Sequence, residues 1–160
     1  MAESGPTYFL DTSALAKLYH DEAGSEMVEA WAADDTMLLW ISDLARAELH
    51  SARIRKVREG ELTEEVLHGI LECFRVDLLH RFYIVPLTAM VLEGAINLLI
   101  DYGRRYPLRT LDALQLASAQ AVHGEGLTFV AADSKLVAIA SVIFSQVLNP
   151  EVGDRDQGMR

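Results

Sequence analysis

Four acidic residues, Asp11, Glu48, Asp112 and Asp133, stand at points where alternating strands and helices would bring side chains together. They offer only oxygen. Hard oxygen donors suit Mg²⁺ or Mn²⁺ rather than Zn²⁺. Carboxylates gathered without a cation repel one another and drive their pKa values upward, a conflict that one or two divalent ions remove. The reaction natural to such a cluster is hydrolysis of a phosphodiester, because a bound ion lowers the pKa of water and steadies the attacking and leaving oxygens.

Each acid also has a plainer reading. Asp11 and Asp133 follow apolar runs, where Asp commonly serves as a turn former or helix cap. On a helix, Leu44, Glu48 and Ala52 share one face, so Glu48 interrupts a small, apolar stripe. A buried acid is costly there unless it is paired or bound to a cation; the plain alternative is an ion pair with Arg46 or Arg53. Asp112 falls in the first turn of a helical segment, where Thr110 can act as the cap and an acid suits the helix dipole. The rest of that segment is small and apolar, as in a helix packed against a sheet. An acid at its entry would then point into the same crevice as Asp11.

The elements that must position these acids read as follows. Short apolar runs at Tyr8–Leu10, Met37–Ile41, Phe82–Pro86 and Leu127–Ala131 predict strands, the last preceded by Gly124 and Gly126, and Val142–Leu148 holds a short fifth. They are apolar throughout rather than alternating, as in strands of a parallel sheet covered on both faces. Helical patterns occupy Asp43–Arg58, Thr63–Arg81, Thr88–Arg104, Thr110–His123 and Ser134–Ala140. Strands alternating with helices predict an α/β fold. In such sheets functional sites gather beyond the carboxyl ends of the strands, where Asp11 and Asp133 stand.

A chain of 160 residues with 51% hydrophobic content suits one domain with a full core. We expect that domain over residues 1–149, with a polar, frayed tail over 150–160. Cys73 is the lone cysteine, which fits a reducing cytoplasm, and its neighbours Leu71 and Phe74 suggest an inert core position. The five histidines show no zinc-like spacing. The N-terminus has no basic or long apolar segment, and no apolar run reaches the ~20 residues needed to cross a bilayer. Trp31 and Trp40 are expected to pack rather than to stack on bases.

The net charge of −10 opposes a grip on nucleic acid through bulk positive charge. Basic residues nevertheless cluster at Arg53–Arg58 and at Arg104, Arg105 and Arg109. The second cluster could contact nucleic-acid phosphates or a protein segment near the crevice. Its plain reading is a solvated helix end that suits the C-terminal dipole.

Four blocks carry a family resemblance: YFLDTSALAKLY at Tyr8–Tyr19, followed by Glu22; AELHSA at Ala47–Ala52, followed by Arg53, Arg55 and Gly60; LDALQLASA at Leu111–Ala119; and TFVAADSKL at Thr128–Leu136. In this order and spacing the chain resembles the PIN-domain ribonucleases, specifically the VapC-like toxins of toxin–antitoxin pairs, from about Tyr8 to about Asn149. The resemblance implies a three-layer α/β/α sandwich with a parallel, roughly five-stranded sheet. It implies a cytoplasmic, Mg²⁺- or Mn²⁺-dependent endoribonuclease, homodimeric and inhibited by an antitoxin. The family's metal-site acids fall on Asp11, Glu48, Asp112 and Asp133, and its frequent hydroxyl two residues after the first Asp falls on Ser13. Where the family often has Thr two residues before the last acid, this chain has Ala131.

Two other classes fit poorly. A receiver-like phosphoacceptor needs neighbouring acids after the first strand and a Lys past the last, and the stretch before Asp11 and Val142–Asn149 supply neither. A dinucleotide-binding domain needs a glycine-rich turn after the first strand, which Asp11–Leu15 is not. The rival within the family is a PIN-like domain that binds RNA or protein without cutting.

Overall fold

The computed structural model describes residues 5–122 and 126–152. The readings of the N-terminal stretch before Gly5, of the helix end at His123, of Gly124 and of the tail beyond Val152 lie outside these residues. Five strands, β1 (Thr7–Leu10), β2 (Leu38–Ser42), β3 (Phe82–Val85), β4 (Leu127–Val130) and β5 (Gln146–Leu148), form one sheet in the order β3-β2-β1-β4-β5. All four pairings are parallel, with Tyr8 opposite both Leu39 and Thr128. The helices are α1 (Thr12–Leu15), α2 (Ser25–Ala33), α3 (Asp43–Arg58), α4 (Glu64–His80), α5 (Ala89–Tyr102), α6 (Thr110–Gln120) and α7 (Ser134–Ile143).

The two-residue period of a strand builds the two cores. Phe9 and Phe129 point to one face of the sheet, where Val91, Ala95 and Leu98 of α5, Leu116 and Ala119 of α6 and Ile139 of α7 close over them. Their chain neighbours Leu10 and Val130, with Leu39 and Ile41 of β2, point to the other face. There Leu15, Val28 of α2, Leu49 of α3 and Phe74 of α4 pack. The strands are apolar throughout because both faces are covered, which gives the α/β/α sandwich. Trp31 stacks on Tyr8 and Trp40 on Tyr83, so both tryptophans pack against the cores.

Small residues set the spacing of α5 and α6. A Cβ added at Gly94 would stand 3.3 Å from the Ala117 Cβ, so glycine admits the closest approach of the two helices. Gly24, at φ +86, starts α2 where a side chain would collide with the Pro150 backbone at 2.8 Å.

Some elements differ from the sequence reading. α1, the 3₁₀ turn Ala16–Leu18 and α2 have no counterpart in it. β5 begins only at Gln146 because α7 continues to Ile143. Thr110 is the first helical residue of α6 rather than its cap; the extended residue before the helix is Arg109, which makes no side-chain capping bond. Cys73 is exposed rather than core, because one residue along a helix turns the side chain by about 100° and Phe74 takes the buried direction. The ordered contacts also run past residue 149: Pro150 is buried and Glu151 bonds to the buried Lys17 at 2.8 Å.

Candidate carboxylate site

The strand order places β1 between β2 and β4, where the chain winds outward in opposite directions. A crevice opens at the carboxyl ends of strands at such a reversal. Asp11 ends β1 there, and Asp133 stands three residues beyond β4. Ser13 ties the two strand ends together. Its hydroxyl donates to Asp11 Oδ2 at 2.7 Å and accepts the Ala132 N–H at 2.9 Å. Ala131, two residues before Asp133, is fully buried in the core and brings no hydroxyl to the crevice.

The plain roles of both aspartates are real. Asp11 caps α1 through the Ser13 N–H at 3.1 Å. Asp133 caps α7, its Oδ1 accepting from the Lys135 and Leu136 N–H groups at 2.8 and 3.2 Å. Capping and service in the crevice are compatible, because each cap uses one carboxylate oxygen. Asp11 is only 6% exposed. Burial pushes its carboxyl up to about 6, against the pull of the Ser13 bonds and with help from the negative charges of Glu48 and Asp112.

Glu48 is not paired with Arg46 or Arg53. Arg46 turns to Asp43 at 2.7 Å, and the buried Arg53 donates to the Ala16 carbonyl at 2.8 Å. Glu48 Oε1 instead accepts from the Thr12 hydroxyl at 2.9 Å and from Gln115 Nε2 at 2.6 Å. Gln115 Nε2 also reaches Thr12 Oγ1 at 2.9 Å, so β1's exit, α3 and α6 are bound at one point. Sequence reading misses Thr12 and Gln115. The available signal is a long polar side chain, one turn after Asp112, between the apolar Leu114 and Leu116. Gln115 is buried, and its Oε1 has no partner among the described residues.

Asp112 faces Arg109, whose Nε donates to Asp112 Oδ2 at 3.2 Å. The guanidinium is held above its ordinary pKa first by that hydrogen bond and charge, then by the charges of Asp133 and Glu48. One cation thus sits within the field of three of the four acids. Arg104 and Arg105 do not join it. Both lie exposed in the turn after α5, where Arg105 covers the Tyr106 ring at 5.8 Å. Arg55 lines a cleft shared with Glu48 and Arg109, so the crevice has a basic rim despite the acidic whole.

Among the described residues, no three acidic, His or Cys side chains stand close enough together to hold an ion as they are placed. Arg109 draws Asp112 to itself, and the capping bonds turn Asp133 Oδ1 toward its own helix. The donor set nevertheless fits a hard divalent cation. It contains oxygen only, its most buried member is strained as an anion, and an arginine already supplies part of the missing positive charge.

Residues 8–142 match the PIN domain family. The chain belongs to that family. It is 35% identical over 132 residues to Ribonuclease VapC45 of Mycobacterium tuberculosis, covering 82% of this chain and 87% of the relative. Among solved structures, FitAcB from Neisseria gonorrhoeae is similar with a TM-score of 0.64 at 20% identity, covering 89% of this chain and 97% of that one. A toxin–antitoxin complex from Klebsiella pneumoniae gives a TM-score of 0.57 at 20% identity, with coverage of 89% and 97%. At those identities the two structures speak for the fold. Among the described residues no helix is long and apolar enough to cross a membrane.

Proposed function

We propose that this protein is a metal-dependent endoribonuclease, the toxin of a toxin–antitoxin pair. The observation that carries the reading is the position of the buried Asp11 at the reversal of strand order, near enough to Glu48 and Asp112 for their charges to raise its carboxyl. The relative's name, a ribonuclease, supports RNA as the substrate. Asp11, Glu48, Asp112 and Asp133 would hold one or two Mg²⁺ or Mn²⁺ ions, which when bound activate water and stabilise charge on the phosphate. Thr12 and Gln115 fix the Glu48 carboxylate, and Ser13 fixes Asp11. Arg109 releases Asp112 to the loaded site and turns to the RNA, while Arg104 and Arg105 bind the strand further out. An antitoxin covering the crevice would inhibit by masking the acids. The toxin–antitoxin complex among the fold relatives supports that partner. Homodimerisation and a cytoplasmic location complete the proposal.

Purified protein, freed of any inhibitor, is expected to cleave a mixed RNA pool in Mg²⁺ or Mn²⁺ and not in EDTA. RNA binding without cleavage in any metal would instead establish the non-cutting rival. Gln115→Leu is expected to raise the Mn²⁺ concentration for half-maximal rate by about tenfold, the usual scale for loss of a residue that orients a ligand. An unchanged metal dependence with a lower melting temperature would reduce Gln115 to a packing residue.

A further inference from the structure

A cleft of about 330 Å³ opens from the site, with Asp112 and Asp133 on one side, and phosphodiester hydrolysis gives no role to its other lining residues. Its apolar part, the floor, is lined by Leu136 and Ile139 of α7, which are 3% and 2% exposed, and by the exposed Pro107. Its rim carries Arg109, Ser134 and Lys135, all exposed. The volume is at the low end of small-ligand sites, roughly 300–1,000 Å³. A phosphate would use the rim and waste the floor; an aliphatic side chain would use the floor and waste the cations. A flat heteroaromatic ring uses both, with its faces against apolar groups and a guanidinium plane and its edge on donors.

Resting on the ribonuclease reading, we propose that this cleft receives one unstacked nucleobase next to the scissile phosphate and selects guanine or uracil over adenine and cytosine. The selection follows from the rim. Arg109 and Lys135 have donors and no acceptor, and Ser134 adds a hydroxyl. The carbonyl edges of guanine and uracil satisfy such donors, as Arg and Lys do with guanine O6 and N7. The exocyclic amine of adenine or cytosine would face the two cations and find only the Ser134 hydroxyl to accept from it, so it binds less well. The two carboxylates on the remaining side are committed to the metal. The position of the cleft ties recognition to chemistry, because Asp133 and Ser134 are consecutive and Asp112 and Arg109 are bonded to each other.

The test is to sequence the ends that the wild-type protein makes in a random, unstructured RNA with Mn²⁺. Guanine or uracil is expected at one position beside the cut, at least about fivefold above adenine and cytosine. An abasic residue at that position is expected to raise KM about tenfold with kcat within about threefold. The exposed pair Ser134→Ala and Lys135→Ala is expected to raise KM and reduce the preference below about twofold. Ends of even composition, or an abasic substrate cut with unchanged KM, overturn the cleft and leave the nuclease standing. No cleavage of any RNA in any metal overturns the nuclease reading. The cleft is then judged by titrating GMP, UMP, AMP and CMP against the α7 amide resonances. Shifts for GMP or UMP at tenfold lower concentration than for AMP and CMP uphold it, and equal or absent shifts overturn it.

Discussion

Asp11→Asn is expected to reduce cleavage about a hundredfold, as loss of the proposed metal ligand would, and in the same protein to raise stability in EDTA. The second effect follows from burial. Asp11 is 6% exposed, and its carboxyl is pushed from 3.8 to about 6 by that burial and then by the charges of Glu48 and Asp112. A raised pKa means that the folded protein holds this proton more tightly than the unfolded chain. Between about pH 4 and pH 6 the folded state therefore carries more protons, and stability falls as pH rises through that window. Above it the full cost of the buried anion remains, about 3 kcal/mol for a shift of about two units. Asn keeps the shape and an oxygen for the Ser13 hydroxyl and N–H, but no charge. Calorimetry in EDTA at pH 7.5 is expected to place Asp11→Asn roughly 5–10 °C above wild type, the scale for a domain of this size. The gap is expected to close below about pH 3, where wild type is protonated in both states. Mn²⁺ is expected to reverse the order, because only the intact site gains stability from binding the ion. A variant less stable than wild type in EDTA at pH 7.5 would show that Asp11 bears no electrostatic strain.

The amino-acid sequence makes that strain legible in part. Apolar runs ending in Asp11 and just before Asp133 announce a covered parallel sheet with acids at its carboxyl edge. The four-residue spacing of Leu44, Glu48 and Ala52 announces an acid on a packed face. The order of the strands is not legible, because runs covered on both faces carry no mark of their neighbours. Nothing in Tyr8–Leu10 says that β1 lies between β2 and β4, and that placement makes a crevice. Glu48's partners are hidden for a related reason. Thr12 and Gln115 lie 36 and 67 residues from it, and polar contacts at that range leave no periodicity. α2 escapes because it is only nine residues long and starts from Gly24 rather than from a capping side chain. Cys73 misleads because apolar neighbours on a helix do not share a direction.

Arg81 belongs to the illegible part, and its loss is expected to cost about 2–4 kcal/mol. In sequence it is only the end of a helical pattern. In the fold it follows α4 and reaches across to the end of α2 and the loop before β2. Its Nε donates to the Ala32 carbonyl at 2.6 Å and one terminal nitrogen to Met37 at 3.1 Å; the other serves Trp31 at 2.7 Å and Asp34 at 3.0 Å. The last carbonyls of a helix have no partner within it and carry its negative end. A planar guanidinium can meet several at once, and an ammonium, as a compact point charge, cannot. Urea unfolding is therefore expected to show Arg81→Lys losing at least half of what Arg81→Ala loses, although the charge is kept. Because Arg81 makes its bonds far along the sheet from the acids, metal-dependent cleavage below the unfolding transition is expected to stay within about twofold of wild type. Full recovery of stability by lysine would mean that charge at the end of α2, and not the fork of donors, holds this corner of the fold.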